Sequence, residues 1–171
     1  MPEVTRHKLG AWLLKCNPEI WNIERFRADG HRMVHSWVVQ DNYRSALMTK
    51  GDPVVLWVTG DGKHAGVLGV GQVTGQVGQR TAGYDYEESY WSQSQGPRTK
   101  ALLWVPTEIG LVPTSLSRHV VRAEPALRAA EVFAAPQLGN PNFLDIAQWA
   151  VLQWMLLRHL VLRAPWVLPD M

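Results

Sequence analysis

The sequence predicts a single α+β domain built on a curved, mostly antiparallel sheet of five to six strands with flanking helices. Three observations carry this. Short apolar segments at 9–15, 34–39, 54–59, 65–73 and 100–107 follow one another without the regular helical crossovers of a parallel sheet. Gly60-Asp61-Gly62-Lys63 makes a tight turn between two of them. Gly66, Gly69 and Gly71 lie within the second arm of that hairpin, where glycine signals close backbone approach, a bulge or sharp curvature towards a barrel.

The first strand, Leu-Gly-Ala-Trp-Leu-Leu-Lys, ends at Cys16-Asn17-Pro18 because Pro18 donates no hydrogen bond and restricts Asn17. A helical segment opening at Asn17 or Pro18 is expected to run to about Arg27, where Asp29-Gly30 stops it. Residues 41–48 read as a short helix before Gly51-Asp52. Residues 77–96 form a polar loop carrying Tyr84, Tyr86, Tyr90 and Trp91. Pro113 interrupts the region after the fifth strand, and a short helix is expected from Thr114. A further short helix covers 125–133. The longest helix is expected over 140–162, capped near Asn142 with Asp145 in its first turn.

Length and composition bound the functional classes. The chain has 171 residues, of which 46% are hydrophobic and 19% charged, which fits one globular domain over 1–171 with a core at about 9–160. A formal net charge of +2 permits an anionic partner without demanding one. Cys16 is the single cysteine, so neither an internal disulfide nor a cysteine zinc site is available. The first ten residues carry Glu3, Arg6, His7 and Lys8 and do not read as a signal peptide. The most apolar stretch, 149–162, is interrupted by Gln153, Arg158 and His159 and is too short to cross a bilayer. The expectation is a cytoplasmic protein that does not contact membranes. The stripe Leu152, Met155, Leu156 and Leu160, with Trp154, Val161, Leu162 and the tail 161–171, is expected to meet a second copy or a partner protein.

No catalytic signature stands out. Gly69-Val70-Gly71 lies inside a strand and lacks the rest of a dinucleotide fingerprint. His7, His31, His35, His64, His119 and His159 show no metal-ligand spacing. Cys16 reads as a small buried hydrophobe, not as a nucleophile. No cofactor or metal is expected, and the chain is read as a binder, not an enzyme. Nine tryptophans are the compositional oddity, because tryptophan fills cores and also offers a stacking surface.

An ordered set of residues carries more information than any one motif. It runs Trp12, Lys15-Cys16-Asn17-Pro18, Trp21, Ser36-Trp37-Val38, Asn42-Tyr43-Arg44, Gly51-Asp52, Val55-Leu56-Trp57 and Ala65 to Gly71, then Asn140-Pro141-Asn142-Phe143-Leu144 and Gln148-Trp149. In this set the sequence resembles the EVE domain, a member of the PUA-like superfamily related to the YTH domain, over about residues 9–160. The resemblance implies a pseudobarrel that binds a modified base in DNA or RNA. Prokaryotic EVE domains are associated with modified cytosine such as 5-methylcytosine, and YTH domains hold N6-methyladenine in an aromatic cage. Such a cage accepts the methyl group on dry aromatic faces once the base is unpaired or flipped.

Residue by residue, Lys15-Cys16-Asn17 matches the Lys-Ser-Asn turn that lines the YTH pocket, with cysteine in place of serine. Asn17 would supply amide donors and an acceptor to the base edge. Trp37 matches a cage tryptophan, with Val38 replacing a small polar residue. Trp91 falls where the second cage tryptophan arises. Trp21 either staples the first helix or walls the pocket, and Trp57 belongs either to the core or to the wall. Arg44, Lys50, Arg98 and Lys100 are candidate phosphate contacts. The alternatives are a reader of N6-methyladenine and, as an enzyme, a hydrolase of modified nucleosides, of the amidohydrolase type found in the wider superfamily.

Overall fold

A computed structural model describes residues 3–79, 86–92 and 103–163 of the chain. The expected phosphate contacts Arg98 and Lys100 and the tail beyond residue 163 lie outside the described residues.

The strands are β1 Leu9–Cys16, β2 Met33–Val39, β3 Pro53–Val58, β4 Gly66–Val73, β5 Gly78–Gln79, β6 Leu103–Ser117 and β7 Asn142–Asp145. They form one open sheet in the order β2-β6-β4-β3-β1-β7, with the short β5 added to β6. Every pair is antiparallel except β1 with β3, which runs parallel with Lys15 opposite Trp57. The helices are α1 Ile23–Ala28, α2 Tyr43–Leu47, α3 Arg118–Ala123, α4 Glu131–Ala134 and α5 Ile146–Arg163. They lie outside the sheet as an α+β arrangement.

Alternation along the strands sorts the core into two layers. Trp12, Leu14 and Cys16 of β1 join Val54, Leu56 and Val58 of β3 in one buried cluster, with Trp21, Phe26 and Trp37. Ala11 and Leu13 join Val55 and Trp57 in a second cluster, under Leu127, Val132, Leu152 and Leu156 of the helical layer. Trp57 is 3% exposed and meets the ring of Phe133 edge-on at 5.4 Å, so it belongs to the core of the helical side.

The glycines of β4 allow its close approach to β6. A Cβ on Gly71 would collide with the carbonyl oxygen of Glu108, and one on Gly66, at φ +127°, with that of Leu116. The register between β4 and β6 shifts between Val67 and Gly69, which bends the sheet.

Three elements differ from the sequence expectation. The β6 strand continues through Pro113 to Ser117, because Pro113 falls where the β4 register jumps from Leu111 to Leu116 and no ladder donor is required. The first helix opens at Ile23, capped by Asn22, after a turn at 18–20. The segment 142–145 pairs with β1 as β7, so the cap of α5 falls at Asp145, three residues after the expected one. Asp145 and Gln148 then exchange side chain to backbone bonds of 2.8 and 3.0 Å, a capping box.

Packed under these elements, Arg44 is 2% exposed and its guanidinium grips both oxygens of Glu131. Its expected role as a phosphate contact is therefore corrected: the group belongs to a buried ion pair at the base of α4. On α5, Leu152 and Leu156 pack inward, whereas Trp154 and Leu157 are more than half exposed. Among the described residues no helix is long and apolar enough to cross a membrane.

The packing sets two expected losses of stability. Gly71→Ala is expected to lower unfolding free energy by about 2 kcal/mol or more, read as a reduced urea midpoint. Glu131→Ala leaves the buried Arg44 without its carboxylate, and is expected to cost about 3–5 kcal/mol in the same assay.

Candidate functional site

The site is built where β1 ends. Asn17 turns the chain: its side-chain oxygen accepts from Glu19 N at 3.0 Å and its carbonyl from Ile20 N and Trp21 N. The next residues lie antiparallel to a second segment, a 3-10 turn at Tyr86–Tyr90 followed by Trp91 and Ser92. Asn22 N donates to Tyr90 O at 2.8 Å and Ser92 N to Ile20 O at 2.6 Å, which sets Trp21 opposite Trp91.

A buried carboxylate fixes that strap. Glu87 is 3% exposed; it accepts His35 N at 2.6 Å and also faces His35 Nδ1 and Ser36 Oγ at the middle of β2. Its backbone carbonyl accepts Trp21 Nε1 at 3.0 Å. Tyr90 donates to Asp29 and lies under the Arg25 guanidinium, which ties the strap to α1.

Held in this way, four indoles meet edge to face or tilted. The ring centroids are 5.1 Å apart for Trp21 and Trp37, 5.5 Å for Trp37 and Trp91, and 6.1 Å for Trp91 and Trp104. Trp21 and Trp37 are buried, and Trp37 Nε1 donates to Lys15 O at 3.2 Å. Trp91 and Trp104 are only half-buried and form the rim. Exposed Asn17 stands at the same end of β1, and its Nδ2 has no hydrogen-bond partner among the described residues. Cys16 is wholly buried, its Sγ 3.8 Å from Trp21 O, and burial pushes its thiol pKa up.

Of the sequence-expected residues, the structure thus brings together Cys16, Asn17, Trp21, Trp37 and Trp91. Half-buried Val38 pairs with the rim residue Trp104 across β2 and β6, one residue along from the Trp37–Val105 pair. Lys50 is exposed at the edge of a separate groove next to Asp41 and Thr49. Two expected base-binding residues are placed elsewhere. Alternation sends Lys15 and Trp57 to the helical face of the sheet, the reverse of Cys16. Lys15 Nζ there donates to Pro136 O at 2.8 Å and to Leu138 O. Its pKa is lowered by burial, with Glu131 acting in the opposite sense.

Sequence reasoning missed Glu87, Trp104 and Asn140. The Glu87-Glu88 pair amid tyrosines was the available signal for the first. Trp104 precedes the buried Val105 and so alternates outward. Asn140, whose amide bonds both the N–H and the carbonyl of Lys15, stands in the ordered set of residues that carries the family resemblance, but without a role assigned to it. Among the described residues, no group of three or more His, Cys, Asp or Glu is arranged to hold a metal ion.

A family model described as "EVE domain" matches residues 10–146 of the chain. Among solved structures, the chain is similar to Rpa0253 from Rhodopseudomonas palustris, with a TM-score of 0.58 at 16% identity, covering 95% of this chain and 100% of that one. A hypothetical protein from Leishmania major gives 0.59 at 19% identity, covering 91% and 99%. Atu2648 from Agrobacterium tumefaciens gives 0.51 at 21% identity, covering 85% and 91%. At these identities the likeness is one of fold. No curated protein matches the chain.

Two outcomes test the geometry. Glu87→Ala is expected to speed amide exchange at Asn22 and Ser92 at least tenfold, with much smaller change in the β3 and β4 core amides. Native Cys16 is expected to resist thiol reagents at pH 8 and to react only as fast as the protein unfolds.

Proposed function

The chain belongs to the EVE domain family, and on that premise we propose that it binds a modified base, first a modified cytosine such as 5-methylcytosine, in DNA or RNA without catalysing a reaction. The observation that carries this reading is the rim: half-buried Trp91 leans on buried Trp37 at the end of β1 where Asn17 is exposed, its amide donors meeting no acceptor among the described residues.

The physical case is one of division of labour. An extra methyl group on a base gains contact and loses water when it lies against an indole face. The polar base edge requires donors and acceptors in fixed places, which a side-chain amide supplies in both kinds. Trp21, wedged behind Trp37 and bonded to Glu87 O, keeps the indoles from collapsing into one another. Stacking discriminates little among unmodified bases, so specificity has to come from the methyl contact together with the amide.

The test is binding of single-stranded DNA and RNA oligonucleotides carrying cytosine, 5-methylcytosine, 5-hydroxymethylcytosine or N6-methyladenine at fixed salt. Trp91→Ala and Asn17→Ala are the variants of choice because both positions are accessible. Trp37→Ala would remove a buried ring at a cost of about 3–5 kcal/mol to the fold. Tighter binding of one modified base is expected, reduced about tenfold to a hundredfold by Trp91→Ala, in line with about 1–3 kcal/mol per stacked base. Equal affinity for all four bases, unchanged in both variants, would contradict the reading.

A further inference from the structure

The helical face of the sheet carries a second concavity of about 280 Å³, separate from the tryptophan rim. Its floor is Trp57 of β3, with Lys15 next to it on β1. Arg118 and Arg122 of α3 form one wall and Phe133 of α4 another. Three cationic side chains therefore line the pocket, and among the described residues no carboxylate does.

Each cation is held by neutral groups. Arg118 Nη1 donates to Gly60 O at 2.7 Å. The Arg122 guanidinium lies 5.8 Å from the centroid of the Phe133 ring, and none of its N–H groups meets a protein acceptor among the described residues. Lys15 spends two N–H groups on the carbonyls of Pro136 and Leu138, leaving one. None of the three forms an ion pair among the described residues; the carboxylate of Glu131 is occupied by Arg44. Arg118 and Arg122 are moreover four residues apart on one helix, a spacing at which like charges repel. Placing three cations at one pocket without an anion costs stability that a bound anion would return.

We propose that this pocket binds a phosphate monoester. A backbone diester carries one negative charge, whereas a monoester carries nearly two at neutral pH, the better match to three cations. Guanidinium groups present paired donors to phosphate oxygens in a planar fork. The floor of Trp57 and the walls from α3 and α4 suit a terminal group, which enters and stops, over a strand that must run through. The ligand is then either the phosphorylated end of a nucleic-acid strand or a free mononucleotide. The proposal does not depend on modified-base binding, because it draws on the opposite face of the sheet.

The test is calorimetric titration of the full chain. The ligands are inorganic phosphate, deoxycytidine 5′-monophosphate against deoxycytidine, and one single-stranded oligonucleotide with a 5′-phosphate or a 5′-hydroxyl. Each is repeated with Arg122→Gln, a position exposed to solvent and free of protein hydrogen bonds among the described residues, and with Arg118→Gln. The phosphorylated ligands are expected to bind and deoxycytidine not, with affinity reduced about tenfold by Arg122→Gln. A preference for the 5′-phosphorylated strand assigns the strand end; binding of phosphate and nucleotide without that preference assigns the free nucleotide. No binding of any phosphorylated ligand at millimolar concentration, or affinities unchanged in both variants, would overturn the proposal. Loss of base discrimination in Trp91→Ala with phosphate binding intact separates the failure of one site from that of the other.

Discussion

The two ends of the open sheet are drawn together at one backbone oxygen. The carbonyl of Lys15 accepts Trp37 Nε1 from β2 at 3.2 Å and Asn140 Nδ2, from the loop before β7, at 3.1 Å. Asn140 completes the pairing by accepting Lys15 N at 2.8 Å, and its own carbonyl accepts Gln40 N just beyond β2. The strands β2 and β7 are the edges of the sheet, so these bonds give the open sheet the character of a barrel at this end. They also set the height of the Trp37 ring against Trp21 and Trp91. An indole anchored through its nitrogen cannot rotate freely, and a preformed aromatic wall loses less entropy when a ligand arrives.

From that point the parallel pairing of β1 with β3 divides the molecule chemically. Cys16 and Lys15 are neighbours in sequence and face opposite layers, one towards the tryptophans and the other towards α3 and α4. The first layer ends in an uncharged aromatic rim; the second ends in three cations against Trp57 and Phe133. A short piece of strand thus faces two surfaces of different chemical character. The buried Arg44–Glu131 pair lies beneath the second layer and fixes the start of α4. Glu87 does the equivalent work for the first by tying the strap to β2.

Much of the sheet was legible in the sequence because its strands are half-buried and alternate, and because Gly66, Gly69 and Gly71 mark the close β4–β6 contact by their spacing alone. The errors come from residues with two uses. Asn142 and Asp145 both favour helix caps, yet only Asp145 serves as one, while Asn142 is a β7 residue. Pro113 breaks strands in general and is accommodated here at a register jump. Trp57 and Trp37 both sit in apolar strands, and only the pairing partners reveal that they point to opposite layers. Charge was the least legible property. Arg44 and Lys15 look like surface cations in sequence, and their partners, Glu131 and the carbonyls of Pro136 and Leu138, are more than eighty residues away.

The most direct measurement is a heteronuclear spectrum of the indole N–H groups during titration with an oligonucleotide carrying 5-methylcytosine. The nine tryptophans report on both faces of the sheet at once. Trp37 and Trp91 are expected to shift together, while Trp57, on the opposite layer, shifts little when the strand end is unphosphorylated. Shifts confined to Trp57, or an indole spectrum unchanged at saturating ligand, would contradict the assignment of base binding to the tryptophan rim.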